Sequence, residues 1–231
     1  MKTIAVIQAR LNSTRLPEKI LLPLAGKSML QNVVERVSRT QLIDCVVVAC
    51  PLHDLDRIKK ATFAELFSMT GDENDLIGRL LACAWDCEAD YIVRICADNP
   101  CVKPEEIDHL IGHVQYLKTP CRELYLNSEW FKFNHDGFGG ELYTFEMLEW
   151  MDSLIKNPLY REHPHLLWRE MDAYSYIGST YPPGFRLEVN TAQEYQKVKT
   201  IFEHFGHNHF TIKEAMEFLG TQDLEKLDFS A

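Results

Sequence analysis

Short apolar runs alternate with longer amphipathic stretches over the first two thirds of the chain. "TIAVIQA" (3–9), "CVVVAC" (45–50), "FSMT" (67–70) and "YIVRIC" (91–96) are each followed by a segment with helical spacing. Unbroken β-branched runs of this length suit strands buried on both faces, and helices between them suit crossovers, so the pattern predicts a doubly wound α/β domain with a mostly parallel sheet. Helices are expected at Ser28–Arg39, with Met29, Leu30, Val33, Val34 and Val37 on one face and Ser28 as cap, and at Asp54–Leu66, Asp75–Glu88 and Pro104–Leu117, the last with proline in its first turn.

After Pro120 the rhythm weakens. Aromatics, scattered His and Pro, "DGFGG" and "YPPG" predict shorter, partly antiparallel strands over 121–185, with helices near Thr144–Ile155 and Leu159–Glu170. This stretch reads as an insertion. A strand at Phe185–Val189 and the helices Thr191–His204 and Thr211–Leu219 then restore the first pattern. No linker, repeat or low-complexity tract divides the 231 residues, which suits one domain able to bury a core.

Charge narrows the functions open to such a domain. With 34 acidic against 24 basic side chains and a net charge of −10, a broad positive face for nucleic acid or anionic lipid is not expected. An anionic ligand must be met locally. Residues 1–10 lack the pattern of a signal peptide and no stretch is long and apolar enough to span a membrane, so a cytoplasmic protein is expected. The seven cysteines include no C-x-x-C pair and sit mostly in apolar segments, which favours reduced, buried thiols over a disulfide frame or zinc site.

Against that acidic background, "ARLNSTRLPEK" (9–19) gathers Arg10, Arg15 and Lys19 directly after the first strand. Ligands bind open parallel sheets at the carboxyl ends of their strands. Ser13 and Thr14 add hydroxyls and the backbone of residues 10–14 adds amides, a donor set suited to a polyphosphate, whereas a solvated surface loop is the plainer alternative. "AGKS" (25–28) shares the end of a P-loop, but the earlier glycine would fall at Leu21, so that reading fails.

Two further places offer oxygen ligands. In "RICADNP" (94–100), Asp98 follows an apolar strand where a carboxylate can hold a divalent cation, although Asp-Asn-Pro taken alone is better read as a turn that starts a helix. In "FRLEVNTAQEY" (185–195), Glu188 and Asn190 either face Asp98 across the strand ends or only precede the helix capped by Thr191; the spacing does not decide. His109 and His113 are four apart on a helix without an evident third ligand, and are read as solvent-facing.

Taken in order, "VIQARLNSTRLPEKILLPLAGKSMLQNVVERV" (6–37), "GDENDLIGRL" (71–80), "ADYIVRICADNPCVKPEEID" (89–108), "REHP" (161–164) and "RLEVNTAQEY" (186–195) resemble the cytidylyltransferases that activate acidic sugars, most closely the branch named for a spore coat polysaccharide biosynthesis protein, SpsF. The resemblance implies a nucleotide-diphospho-sugar transferase fold, a Rossmann-like sheet with an inserted dimerisation element at about 118–180, and a homodimer. It implies Mg²⁺-dependent transfer of CMP from CTP to an acidic acceptor, with release of pyrophosphate, for surface glycan biosynthesis. Carried over by residue, Arg10, Ser13, Arg15 and Lys19 would hold the triphosphate, with Arg15 and Lys19 stabilising the leaving group; Ala9, Asn12, Thr14 and Cys96 would lie near the nucleotide, Arg79 and the "GDEND" loop with Asp72 near its base, and Asp98 would bind the metal.

The chain departs from that pattern at Asn190, where the resemblance implies an aspartate. Either Glu188 makes up the missing metal carboxylate or metal affinity is reduced. On the acceptor side Glu141 takes the place of an acidic residue after glycine, and Arg161 and His163 are candidates for an acceptor carboxylate or else surface residues of a helix start. The alternatives that stay open are another nucleotide, a phosphorylated small-molecule acceptor, or a nucleotide-binding subunit without turnover.

Overall fold

A computed structural model describes residues 1–69, 72–117, 125–127, 137–170, 175–176 and 185–221. Strand β1 (Thr3–Gln8) is buried almost throughout, and its two faces feed different cores. Ala5 and Ile7 join one cluster and Ile4 and Val6 another, as the two-residue period of a strand dictates. The loop that follows leads to a small hairpin, β2 (Pro23–Leu24) and β3 (Lys27–Ser28), turned by Ala25 and Gly26, both at positive φ. That two-residue turn is what "AGKS" builds. Ser28 then caps α1 (Met29–Val37), its hydroxyl accepting from Gln31 N.

Strand β4 (Cys45–Pro51) is followed by a short 3₁₀ turn and α2 (Leu55–Lys59), after which β5 (Glu65–Met69) begins. The expected helix Asp54–Leu66 is therefore much shorter, because Thr62 to Leu66 are used to bring the chain back into the sheet. Helix α3 (Leu76–Asp86) is capped by Asp75, strand β6 (Tyr91–Cys96) follows, and α4 (Pro104–Leu117) completes the crossover pattern. Much of the expected insertion at 118–180 lies outside the described residues. What is described contains β7 (Tyr125–Asn127), β8 (Glu141–Thr144), α5 (Phe145–Leu154), α6 (Pro158–Glu162), α7 (Pro164–Glu170) and β9 (Ser175–Tyr176).

Two expectations are corrected here. The single helix Leu159–Glu170 is two helices, since Pro164 has no N–H to continue the first and starts the second. Residues 185–190 are extended but form no strand; instead Val189 N donates to the carbonyl of Asp98 at 2.9 Å, tying this segment to the loop after β6. Helix α8 (Ala192–Phe205) starts with a capping box between Thr191 and Glu194 and stops at Gly206, at φ +68°; α9 (Ile212–Thr221) follows.

The strand order is β5-β4-β1-β6-β8-β7-β9. β5, β4, β1 and β6 run parallel, and β8 joins β6 antiparallel, so the sheet is mostly parallel at the centre and mixed beyond β6. Helices α1 and α4 cover one face through Leu30, Val33, Val37, Ile107 and Leu110, and α3 and α5 cover the other through Leu76, Leu80, Met147 and Met151. A third cluster under α8 and α9 includes Leu187 and Val189, which seats residues 185–190 beside the hairpin. Gln8 pairs in register with Cys96. The loops after β1 and β6 therefore leave the sheet side by side.

Candidate active site

A cavity of about 590 Å³ opens at these carboxyl ends, with Arg10, Asn12, Ser13, Thr14, Arg15 and Lys19 on one wall and Cys96, Asp98 and Asn190 facing them. Its loop is held from below: Asp54, buried at the end of the β4 crossover, accepts from Leu11 N at 2.9 Å. Further along, Glu18 is clamped by both guanidinium nitrogens of Arg57 at 2.6 and 2.5 Å, which holds its carboxyl below its ordinary pKa, and Lys19 opens the 3₁₀ turn Lys19–Leu21.

Lys19 is the centre of the site. Its Nζ donates to Asp98 Oδ2 at 2.6 Å and to Asn190 Oδ1 at 2.9 Å, joining residues 79 and 171 positions away. Asn190 is fixed in turn by its backbone N–H on Glu194 Oε2 at 2.7 Å. Arg10 reaches across the mouth, donating to Asn74 at 2.9 Å and Glu162 at 3.2 Å, and Asn12 donates to Glu73 at 3.1 Å. Arg15 lines the cavity as an exposed cation.

The other expected residues take different places. Ala9 is buried beneath the loop and Asp72 accepts from Asn74 N, shaping the turn before α3. Arg79 is buried, with Nη2 on the carbonyl of Glu73 at 2.6 Å, and burial lowers its pKa. Glu188 pairs with Arg186, while the cavity is lined by Asn190 and not by Glu188.

On the acceptor side His163 lines the cavity, whereas Arg161 does not. Arg161 instead grips Asp75 through Nε at 2.9 Å and Nη2 at 2.8 Å, and Asp152 at 2.6 Å; the Asp75 bonds raise its pKa. Glu141 is buried on β8. It accepts from Arg94 Nη1 at 2.6 Å and from the Tyr143 hydroxyl at 2.5 Å, while Arg94 also donates to Gln8 Oε1 at 3.1 and 3.2 Å. Gln8, Arg94 and Glu162 are lining residues that the sequence reading passed over, whereas Asn74 belongs to the "GDEND" loop. An arginine inside the otherwise apolar strand "YIVRIC" was the available signal for Arg94.

The site thus presents three cations on one loop, facing one carboxylate after β6 and one amide oxygen on the segment before α8. A family model for cytidylyltransferases matches residues 4–227. The chain belongs to the cytidylyltransferase family. Spore coat polysaccharide biosynthesis protein SpsF of Bacillus subtilis is 26% identical over 214 residues, 87% of this chain and 86% of that protein. The 3-deoxy-manno-octulosonate cytidylyltransferase of Pelobacter propionicus is 39% identical over 114 residues, 48% of this chain and 44% of that enzyme, so the match spans less than half of its length. A solved cytidylyltransferase from Leptospira borgpetersenii superposes with a TM-score of 0.81 at 28% identity, covering 95% of this chain and 94% of that one. This cytidylyltransferase-family chain is a nucleotidyltransferase with the α/β fold read from its sequence. Among the described residues, no helix is long and apolar enough to cross a membrane.

Proposed function

We propose that this chain transfers CMP from CTP to an acidic sugar or related acid, releasing pyrophosphate, in a Mg²⁺-dependent reaction that serves surface glycan synthesis. One observation carries the reading: Arg10, Arg15 and Lys19 share a cavity with Asp98 and Asn190. The names of the two relatives, one for 3-deoxy-manno-octulosonate and one for spore coat polysaccharide, support an acidic acceptor.

The donor set fits a hard divalent cation. Asp98 Oδ2 and Asn190 Oδ1 already approach one positive group, Lys19 Nζ, so two oxygens are aimed at a common point. Among the described residues no three His, Cys, Asp or Glu side chains gather to hold a metal unaided, so the triphosphate and water would have to complete its shell. When bound, the cation supplies charge neutralisation at the α-phosphate.

The rest is done by the chain's own residues. The acceptor hydroxyl oxygen bonds to the α-phosphorus and gives its proton to solvent water as the bridge to the β-phosphate breaks, and the leaving pyrophosphate takes the electron pair. Arg15 and Lys19 meet that developing charge, and Arg10 with the loop amides orients the phosphates. No protein nucleophile is required.

Incubation with each of the four nucleoside triphosphates, Mg²⁺ and a panel of acidic sugars, following pyrophosphate release, tests the reading. Release with CTP alone is the expected result, and turnover with UTP but not CTP would refute it. Asn190, where the family resemblance implies an aspartate, favours a second reading, a nucleotide-binding subunit without turnover. Asn190→Asp separates the two: turnover rises if the metal site is only weakened, and stays absent with every acceptor if the chain is a binding subunit.

A further inference from the structure

Lys19 does not sit where a phosphate-binding lysine would wait for its ligand. Its ammonium lies on the two metal-type oxygens themselves, 2.6 Å from Asp98 and 2.9 Å from Asn190, with its side chain only 11% exposed. Because Asn190 is neutral, this corner holds one negative and one positive charge. A divalent ion placed beside Nζ would find a single carboxylate already paired and a second cation within a few ångströms. It would also find two protein oxygens, where Mg²⁺ takes six ligands in near-octahedral array.

The lysine is anchored so that it returns to that place. Its residue opens the Lys19–Leu21 turn, closed by Leu22 N on the Lys19 carbonyl at 3.1 Å, and Glu18 beside it is clamped to Arg57. The four-carbon stem nonetheless lets the ammonium swing to another anion without moving the backbone.

We infer that in the nucleotide-free protein Lys19 occupies the metal's position, and that the divalent cation enters only with the nucleotide, whose phosphates draw the ammonium away from Asp98 and Asn190. Lysine and metal exchange partners: Lys19 passes to phosphate oxygen as Asp98 and Asn190 pass to the cation. The neutral Asn190 is what makes the lysine sufficient, since one carboxylate is balanced by one ammonium. The inference rests on the proposed CTP chemistry, yet its test reads metal binding without turnover, so it can fail while CTP-dependent pyrophosphate release stands.

Electron paramagnetic resonance with Mn²⁺ on nucleotide-free protein is the test, comparing wild type with Lys19→Met, which keeps the buried stem. The expected result is a Mn²⁺ affinity roughly tenfold or more higher in Lys19→Met than in wild type, abolished again by adding Asp98→Asn. Equal affinity in wild type and Lys19→Met overturns the inference, and so does a gain that survives Asp98→Asn. Should Lys19→Met fail to fold, wild type decides: micromolar Mn²⁺ affinity without nucleotide overturns it, and Mn²⁺ retained only with CTP and lost in Asp98→Asn supports it.

Discussion

On the loop side of the cavity Arg10 and Lys19 reach across open space to partners on other elements, and Arg15 stands exposed at the rim. On the β8 side Arg94, Gln8, Glu141 and Tyr143 are joined in a buried network, with the Glu141 side chain 3% exposed and Arg94 10%. Pairs of the first kind can be given up to a ligand: water already competes for Arg10 and Glu162, while Lys19, 11% exposed, has a flexible stem that can carry its ammonium to another anion. Pairs of the second kind cannot, since removing one partner leaves a desolvated charge that costs several kcal/mol. Substrate-dependent rearrangement therefore belongs to the loop after β1, and β6 with β8 supplies a wall of fixed shape. This division also explains why the cations that mark the site in the sequence all lie on one short loop.

Asp98→Ala tests the open side most severely. With the carboxylate gone, Lys19 keeps Asn190 and partial access to water, so the fold should survive, while turnover falls by ~10³-fold or about 4 kcal/mol of transition-state stabilisation. Pyrophosphate release alongside a thermal melt measures both. Full activity in the variant would remove Asp98 from the site.

Glu141→Ala should do the reverse. Arg94 loses its counter-ion and the Tyr143 hydroxyl its acceptor in a buried place, for an expected loss of ~3 kcal/mol in stability by denaturant titration. CTP affinity of the folded fraction should be unchanged. If the melting temperature held while the KM of the acceptor rose, the network would be part of the acceptor pocket and the contrast between the two sides would be wrong.

These two residues also mark how far the sequence could be read. Arg10, Arg15 and Lys19 stood out because three cations gather directly after an apolar strand, and strand ends and charges are local features; Asp98 alone read better as a turn and was singled out only by the family resemblance. The network was not legible, since it joins Gln8, Arg94 and Glu141 through the β1–β6 and β6–β8 pairings, and an antiparallel partner for β6 is not written in either segment. The segment that bears Glu188 and Asn190 was misread for a related reason. It looked like a strand, but Val189 N bonds to the carbonyl of Asp98, and Leu187 and Val189 pack under α8 instead of entering the sheet. Helix caps at Ser28 and Thr191 were legible because their hydrogen bonds span three residues.

Gly137 packs against the backbone of the segment that bears Asn190. It lies at φ +99°, and a Cβ there would come 2.6 Å from the backbone nitrogen of Glu188. Gly137→Ala must therefore displace the segment that bears Asn190, or accept a strained backbone, at a cost of about 2 kcal/mol. The informative readout is the pair of effects: lower stability together with weaker Mn²⁺·CTP binding. A loss of stability alone would mean that Asn190 is positioned by its bond to Glu194 without help from Gly137.

The smallest expected effect belongs to Arg161, which in sequence looked like an acceptor contact. Its guanidinium is spent on Asp75, the cap of α3, on Asp152 of α5 and on the carbonyl of Ile155 at 3.0 Å. Asp152 is 41% exposed and Asp75 27%, so these are half-screened pairs that pin α6 to its neighbours. Arg161→Ala should cost about 1 kcal/mol, shrinking as salt is raised, and should leave the KM of any working acceptor within twofold, roughly the spread expected of a remote contact. Because Glu162, next in sequence, holds Arg10, loosening α6 should appear first as a modest rise in the KM of CTP. A rise of about tenfold in acceptor KM with an unchanged melt would instead place Arg161 in the cavity once substrate is bound, and the wall of fixed shape would extend no further than β8.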